Sequence, residues 1–318
     1  MILLLGGTGY IGGAFAAAMQ RRQLSFKNLS RCEVDYTNPI ALANFLREQR
    51  PEFVMNAAGY TGKPNVDACE SRSVETIAGN VEFPRQLAIV CAEAGVPFAH
   101  VSSGCIYTGC KVATTDGLTV ERDVNSAYVR RLAIDSPNSI QGFDETHEPN
   151  FTRSHGVCSL YSHTKALGES AIKGIGEHYI WRLRIPFDAH DGPRNYLSKL
   201  QSYPKVYSAL NSLSHRSDFV EACLESWARR IPFGVYNVTN PGYVSTEYVV
   251  ERIRKLLGAK KEFKYWKNDK EFYQEGAIAR RSNCVLNSDK LARAGIKLRP
   301  IEEALDDALQ SWRPAMHT

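Results

Sequence analysis

The 318-residue sequence predicts an α/β chain: a doubly wound parallel sheet, with a smaller lobe formed by the C-terminal part. Three observations lead there. Apolar runs of strand length alternate with helical stretches through the N-terminal half, a glycine-rich turn directly follows the first apolar run, and the alternation loses its regularity beyond Pro186.

Ile2–Leu5 reads as a buried strand and Ile11–Arg22 as the helix after the glycine turn. A second strand ends near Lys27–Arg31, a helix covers Pro39–Arg50, and Phe53–Asn56 and Pro97–Ser103 are short core strands. Val74–Ala94 is helical with a kink or break at Pro84, because proline removes a backbone donor and crowds the preceding turn. Between Cys110 and Asn150 the pattern dissolves into polar residues with scattered proline and glycine, so an irregular segment is expected, either disordered or a lid. A helix resumes near Tyr161, Tyr179–Ile185 and Val235–Val238 are strands, and Glu247–Leu257 and Ile301–Trp312 are helices.

Composition removes several classes of function. Hydrophobic residues make up 43% and charged residues 23%, ordinary values for a globular enzyme. Met1–Leu5 is too short and lacks the basic flank of a leader, and no later apolar run has membrane length, so a cytoplasmic protein without membrane contact is expected. The net charge of +5 is dispersed over separated pairs such as Arg21-Arg22 and Arg280-Arg281, which argues against nucleic acid as partner. None of the eight cysteines forms a C-x-x-C pair, so neither a metal site nor a dithiol is expected.

The glycine turn carries the first chemistry. Gly6, Gly9 and Gly12 fall in G-x-x-G-x-x-G between a strand and a helix. Such a turn lets the backbone approach a diphosphate, and the helix then offers its free N–H groups. Gly6, Thr8, Gly9, Tyr10, Ile11 and Gly12 are therefore cofactor-binding candidates, and residues 1–178 read as a Rossmann-type NAD(P)-binding domain, joined by later crossover strands. Residues 179–318 would mainly form the substrate lobe. At the end of the second strand, where an acid would select NADH, stand Ser30 and Arg31. They suit a 2′-phosphate, so NADPH is expected with NADH as the alternative, and Asp35 is placed near the adenine.

Tyr161-Ser-His-Thr-Lys165 gives Y-x-x-x-K on a helix, so phenol and ammonium share a face. A lysine there lowers the phenol pKa and reaches the nicotinamide ribose. Together with Ser103 and Asn56-Ala57-Ala58-Gly59, this layout resembles the extended short-chain dehydrogenase/reductase superfamily, in its dTDP-4-dehydrorhamnose reductase branch. Within that branch, Asn56–Glu70, Pro149-Asn-Phe-Thr152, Pro193-Arg-Asn195, Tyr236–Gly242 and Arg281-Ser-Asn283 resemble the bifunctional nucleotide-rhamnose epimerase-reductases. Residues 109–147 depart from the family, being longer than its loop.

The resemblance implies reduction of the C4 ketone of a nucleotide-diphosphate 4-keto-6-deoxyhexose, coupled to 3,5-epimerisation. Ser103 and Tyr161 would bind the ketone oxygen, and the same bonds would stabilise an enolate. Ser103 and Cys105 share a face if the strand continues that far, which places a thiol where it could take an α-proton. Lys199 is implied as the partner on the opposite face. Arg280 and Arg281 are candidates for gripping the diphosphate and Asn195 for the sugar or diphosphate, with Thr61 and Asn65 near the substrate. A homodimer is the expected assembly. The alternatives are a 4-ketoreductase without epimerase activity and a silent dinucleotide-binding regulatory subunit, which would be expected to lose Tyr161 or Lys165.

Overall fold

A computed structural model describes residues 1–315. Its centre is a six-stranded parallel sheet of β1 (Ile2–Leu5), β2 (Phe26–Leu29), β3 (Phe53–Asn56), β4 (Phe98–Ser103), β5 (His178–Leu183) and β6 (Gly234–Asn237), in the order β6-β5-β4-β3-β1-β2. The expected doubly wound sheet is present, and the α/β fold class holds.

Strand periodicity divides the core between the two faces. Ile2, Leu4, Phe53 and Met55 pack with Trp181 against helices Tyr10–Arg21 and Arg216–Ala228, where Phe53 stacks on Trp227 at 3.9 Å. Leu3, Leu5 and Val54 face helices Pro39–Gln49 and Phe83–Glu93. Burial on both faces is why these strands read as unbroken apolar runs. Strand order reverses between β1 and β3, which opens a crevice beyond their C-terminal ends.

The expected break at Pro84 lies just before it: Ala78–Glu82 form a π-helical turn and a regular helix starts at Phe83. Proline fits the first turn of that new helix, where no intrahelical donor is needed. Inside the π turn, Asn80 is buried, accepts from Tyr60 N at 2.9 Å and donates to Tyr60 O at 2.9 Å.

The expectation of an irregular segment over 110–150 is corrected. Cys110–Thr114 pairs antiparallel with Gly117–Glu121 and with Ile140–Gln141, and Ala127–Asp135 is a helix capped by Ser126. Thr115-Asp116 makes the hairpin turn, and Gly117, the first residue of the return strand, has φ +120°. Its core joins Cys110, Val112, Val124, Val129 and Ile140 to Ala209, Leu210 and Val285. Three of those eight residues come from far along the chain, so the local pattern looks polar.

The C-terminal lobe packs helix Thr246–Leu257 against helix Ile301–Gln310 through Val249, Ile253, Ile301, Leu305 and Ala308. Residues 178–237 also return two strands to the central sheet, so the C-terminal half is divided between that lobe and the sheet. Among the described residues no helix is long and apolar enough to cross a membrane.

Candidate active site

The crevice begins with the glycine turn. Gly6 has φ +75°, and a Cβ there would lie 2.5 Å from Ala58 N; a Cβ on Gly12 would lie 2.0 Å from Gly6 O. Gly12 therefore serves the close packing of helix on turn, while Gly6 lets the turn approach the Ala57-Ala58 loop. Ala57 N donates to Leu5 O at 3.0 Å and Ala58 N to Asn56 Oδ1 at 2.9 Å, which ties that loop to β1. Helix Tyr10–Arg21 starts at Gly9 with no side-chain cap and no acid in its first turn. Those free N–H groups, beside Thr8 and Ile11, fit a dinucleotide diphosphate. Tyr10 turns its side chain elsewhere: its hydroxyl donates to Asp188 at 3.1 Å and Arg216 lies over its ring.

Ser30 and Arg31 are exposed in the turn after β2, and no carboxylate among the described residues pairs with Arg31 within ion-pair distance. Asp35 accepts from Thr37 N and Oγ1, and the Thr37 hydroxyl holds its carboxyl below the usual range.

The chemistry sits where β4 ends beside helix Leu160–Ile172. Ser159 caps that helix, accepting from Ser162 N at 3.0 Å, and Leu160 N donates to Glu70 Oε1 at 2.8 Å. Tyr161 and Lys165 are one turn apart, and the Tyr161 phenol lies beside Ser103 and Cys105. Burial pushes that phenol well up, Cys105 adds to the rise, and Ser103 opposes it. Lys165, only 5% exposed, is brought down by burial to about 8. Its Nζ meets Val101 O at 3.0 Å and His100 Nε2 at 3.1 Å.

The strand does not continue to Cys105. β4 stops at Ser103, and Gly104–Ile106 form a 3₁₀ turn, so the same-face argument is replaced by a tighter one. Ser103 Oγ accepts from Cys105 N at 3.2 Å, and the Cys105 thiol is buried. Burial raises the thiol pKa, while Ser103 and Arg184 pull it down.

The cations expected to grip substrate divide. Arg281 donates both its terminal nitrogens to Asp67, at 2.7 and 2.8 Å. Arg280 lies exposed with its guanidinium 4.1 Å from the Tyr273 ring centre. Lys199 is half-buried in helix Tyr196–Ser202, and burial, then Arg194 and Arg281, lower its pKa. Asn195 is corrected to a structural role: it is wholly buried, caps that helix through Leu197 N at 3.0 Å, and donates to Asp188 O and His190 O, both at 2.8 Å. No group of side chains among the described residues could hold a metal ion.

Sequence reasoning missed four residues here. Arg194 donates to Thr61 Oγ1 at 3.2 Å and to Gly62 O at 2.8 Å, joining the loop that holds Thr61 and Asn65 to the second lobe. Arg184 is buried behind Cys105, bonds Asn211 and the Ser282 carbonyl, and leaves its Nε without a partner. Under the site Glu169 and Arg182 form a buried ion pair at 2.6 Å, and Ser102 donates to Glu169 at 2.5 Å. The spacing Arg182-Leu-Arg184 on an otherwise apolar strand was the available signal.

Residues 1–124 match the family model described as RmlD substrate binding domain. The chain is similar to a bifunctional dTDP-4-dehydrorhamnose 3,5-epimerase/dTDP-4-dehydrorhamnose reductase of Arabidopsis thaliana, with 32% identity over 95% of this chain and 90% of that protein. It is also similar to an Arabidopsis trifunctional UDP-glucose 4,6-dehydratase/3,5-epimerase/UDP-4-keto-L-rhamnose-reductase, at 30% identity, but spans only 40% of that protein's length. Among solved structures, a UDP-rhamnose synthase of Acanthamoeba polyphaga mimivirus shares the fold, with a TM-score of 0.81, 23% identity and 98% of each chain covered.

Proposed function

The chain belongs to the family of dTDP-4-dehydrorhamnose reductases and nucleotide-rhamnose epimerase-reductases, and from that membership we propose that it reduces the C4 ketone of a nucleotide-diphosphate 4-keto-6-deoxyhexose with NADPH, after epimerising C3 and C5. The single observation that carries the reading is the Tyr161 phenol placed beside Ser103 and Cys105, one helical turn from Lys165, at the mouth of the dinucleotide crevice.

When bound, the reduced dinucleotide supplies the hydride. Ser103 and Tyr161 hold the ketone oxygen, and Tyr161 gives it a proton as the carbinol forms. A charged Lys165 lowers the cost of the phenolate left behind. For epimerisation the same two hydroxyls stabilise the enolate while Cys105 and Lys199 exchange the flanking protons. The reading divides the chain as expected from its sequence, with residues 1–178 mainly holding the cofactor and 179–318 mainly the sugar nucleotide. It also sets the protein in the cytoplasm, in keeping with its eight unpaired cysteines. A homodimer is the assembly that sedimentation tests.

The test follows NADPH absorbance with UDP- and dTDP-linked 4-keto-6-deoxyglucose, and repeats the assay with NADH. Consumption of NADPH with either sugar supports the reading, and none with both refutes it. Arg31→Ala should reduce the preference for NADPH about tenfold, the loss of one charge-assisted phosphate contact. An unchanged preference would remove Arg31 from cofactor selection. A reductase without epimerase activity is the second reading. It is favoured by the raised thiol pKa of Cys105 and by the cationic neighbours of Lys199.

A further inference from the structure

Lys165 meets an unusual partner. His100 on β4 is 1% exposed, and its ring stands between Asn56 of β3 and Lys165 of the helix. The hydrogens of this row can be assigned in order. Ala58 N–H donates to Asn56 Oδ1 at 2.9 Å, which fixes the amide and turns Nδ2 toward His100 Nδ1 at 3.0 Å. An amide nitrogen only donates, so Nδ1 accepts, and a neutral imidazole must then carry its hydrogen on Nε2. Nε2 faces Lys165 Nζ at 3.1 Å. An ammonium has no lone pair to receive that hydrogen; an amine has one, and still donates to Val101 O at 3.0 Å.

We propose that His100 is a positioning residue that shifts Lys165 toward its neutral amine until the dinucleotide binds. The inference rests on the reading of Lys165 as the lysine of the reductase site. The surroundings agree with it. Burial holds the imidazole neutral, with His178 of β5 a lesser influence; His178 in turn bonds the Ile175 carbonyl at 3.1 Å. Cys105, in the turn after β4, and Glu169, on the lysine's own helix, favour the charged lysine, but Glu169 is matched by Arg182 of β5. Binding of the cofactor then draws Lys165 back to its charged form: the amine takes one proton from solvent, His100 exchanges its Nε2 hydrogen for one on Nδ1, and the Asn56 amide turns to accept it, giving up its bond from Ala58 N. That links the Asn56–Ala58 loop, part of the cofactor crevice, to the charge on the catalytic lysine.

The test uses the free protein. With lysine labelled at Cε and the Lys165 signal assigned by its loss in Lys165→Met, the resonance is followed from about pH 6 to 11. The expected midpoint is about 8. His100→Leu and His100→Gln both remove the imidazole N–H, and each should raise the midpoint by about one unit or more. Two variants are used because either alone can fail to fold. A native midpoint near the ordinary lysine value of about 10.4 overturns the proposal, and so does an unmoved midpoint in the folded variants. Calorimetry of NADPH binding at about pH 9 in buffers of different ionisation enthalpy should show close to one proton taken up, and none in Lys165→Met. Binding without proton uptake overturns the coupling, whereas failure of NADPH to bind counts against the function itself.

Discussion

The floor and the rim of the cleft hold their charges in opposite ways. On the floor, Lys165, His100, Glu169 and Arg182 are at most 7% exposed and bonded to one another or to backbone. At the rim, Arg194 and Arg281 are only partly buried, and their partners are one carboxylate, a threonine hydroxyl and two backbone carbonyls. Buried groups bonded on every side are preorganised and cannot exchange partners without large cost. Half-exposed cations held by Asp67 and the Thr61 loop can trade those contacts for a diphosphate. On the proposed function the floor would serve chemistry and the rim capture, and substitutions in the two regions should then separate turnover from binding.

Removing the acid on the floor has the largest expected effect. Tyr161→Phe should cut kcat by about 10²–10⁴ and leave NADPH affinity nearly unchanged, as titration calorimetry and steady-state assay would show. Turnover close to native would take Tyr161 out of the reaction. Next comes the support beneath it. Glu169→Ala leaves Arg182 buried without its counter-charge and should destabilise the fold by about 3–5 kcal/mol in urea unfolding. A loss of about 1 kcal/mol or less, typical of an exposed pair, would show that the floor is wetter than its geometry implies.

The rim predicts a smaller effect of different kind. Asp67→Asn removes the carboxylate competing for Arg281, so KM for the sugar nucleotide should fall about two- to fivefold with kcat little changed, the range of a partly exposed ion pair. A changed kcat with constant KM would place Arg281 on the floor's side of the comparison.

The same division explains what could be read from the sequence. Gly6, Asn56, Ser103, Tyr161 and Lys165 were legible because each lies in a local motif whose spacing is fixed by one turn or one helix. β1 and β3 were legible because they are buried on both faces and almost wholly apolar. The partner of Arg281 was not, since Asp67 is 214 residues away in sequence. Cys105 was assigned to the right neighbour for the wrong reason: a 3₁₀ turn, not a continued strand, brings it to Ser103. The hairpin at 110–121 was missed because Ala209, Leu210 and Val285 complete its core.

The central claim is that one floor serves both proton exchange and hydride transfer, and NMR of the product formed in deuterated water tests it most directly. With NADPH and a nucleotide-linked 4-keto-6-deoxyglucose, the native protein should yield a 6-deoxyhexose carrying deuterium at C3 and C5. Cys105→Ser, whose hydroxyl is a far weaker acid than a thiol, should lose that label and still reduce a sugar supplied already epimerised. A native product reduced at C4 with no deuterium at either carbon would contradict the account and leave Cys105 as a packing residue behind a simple reductase.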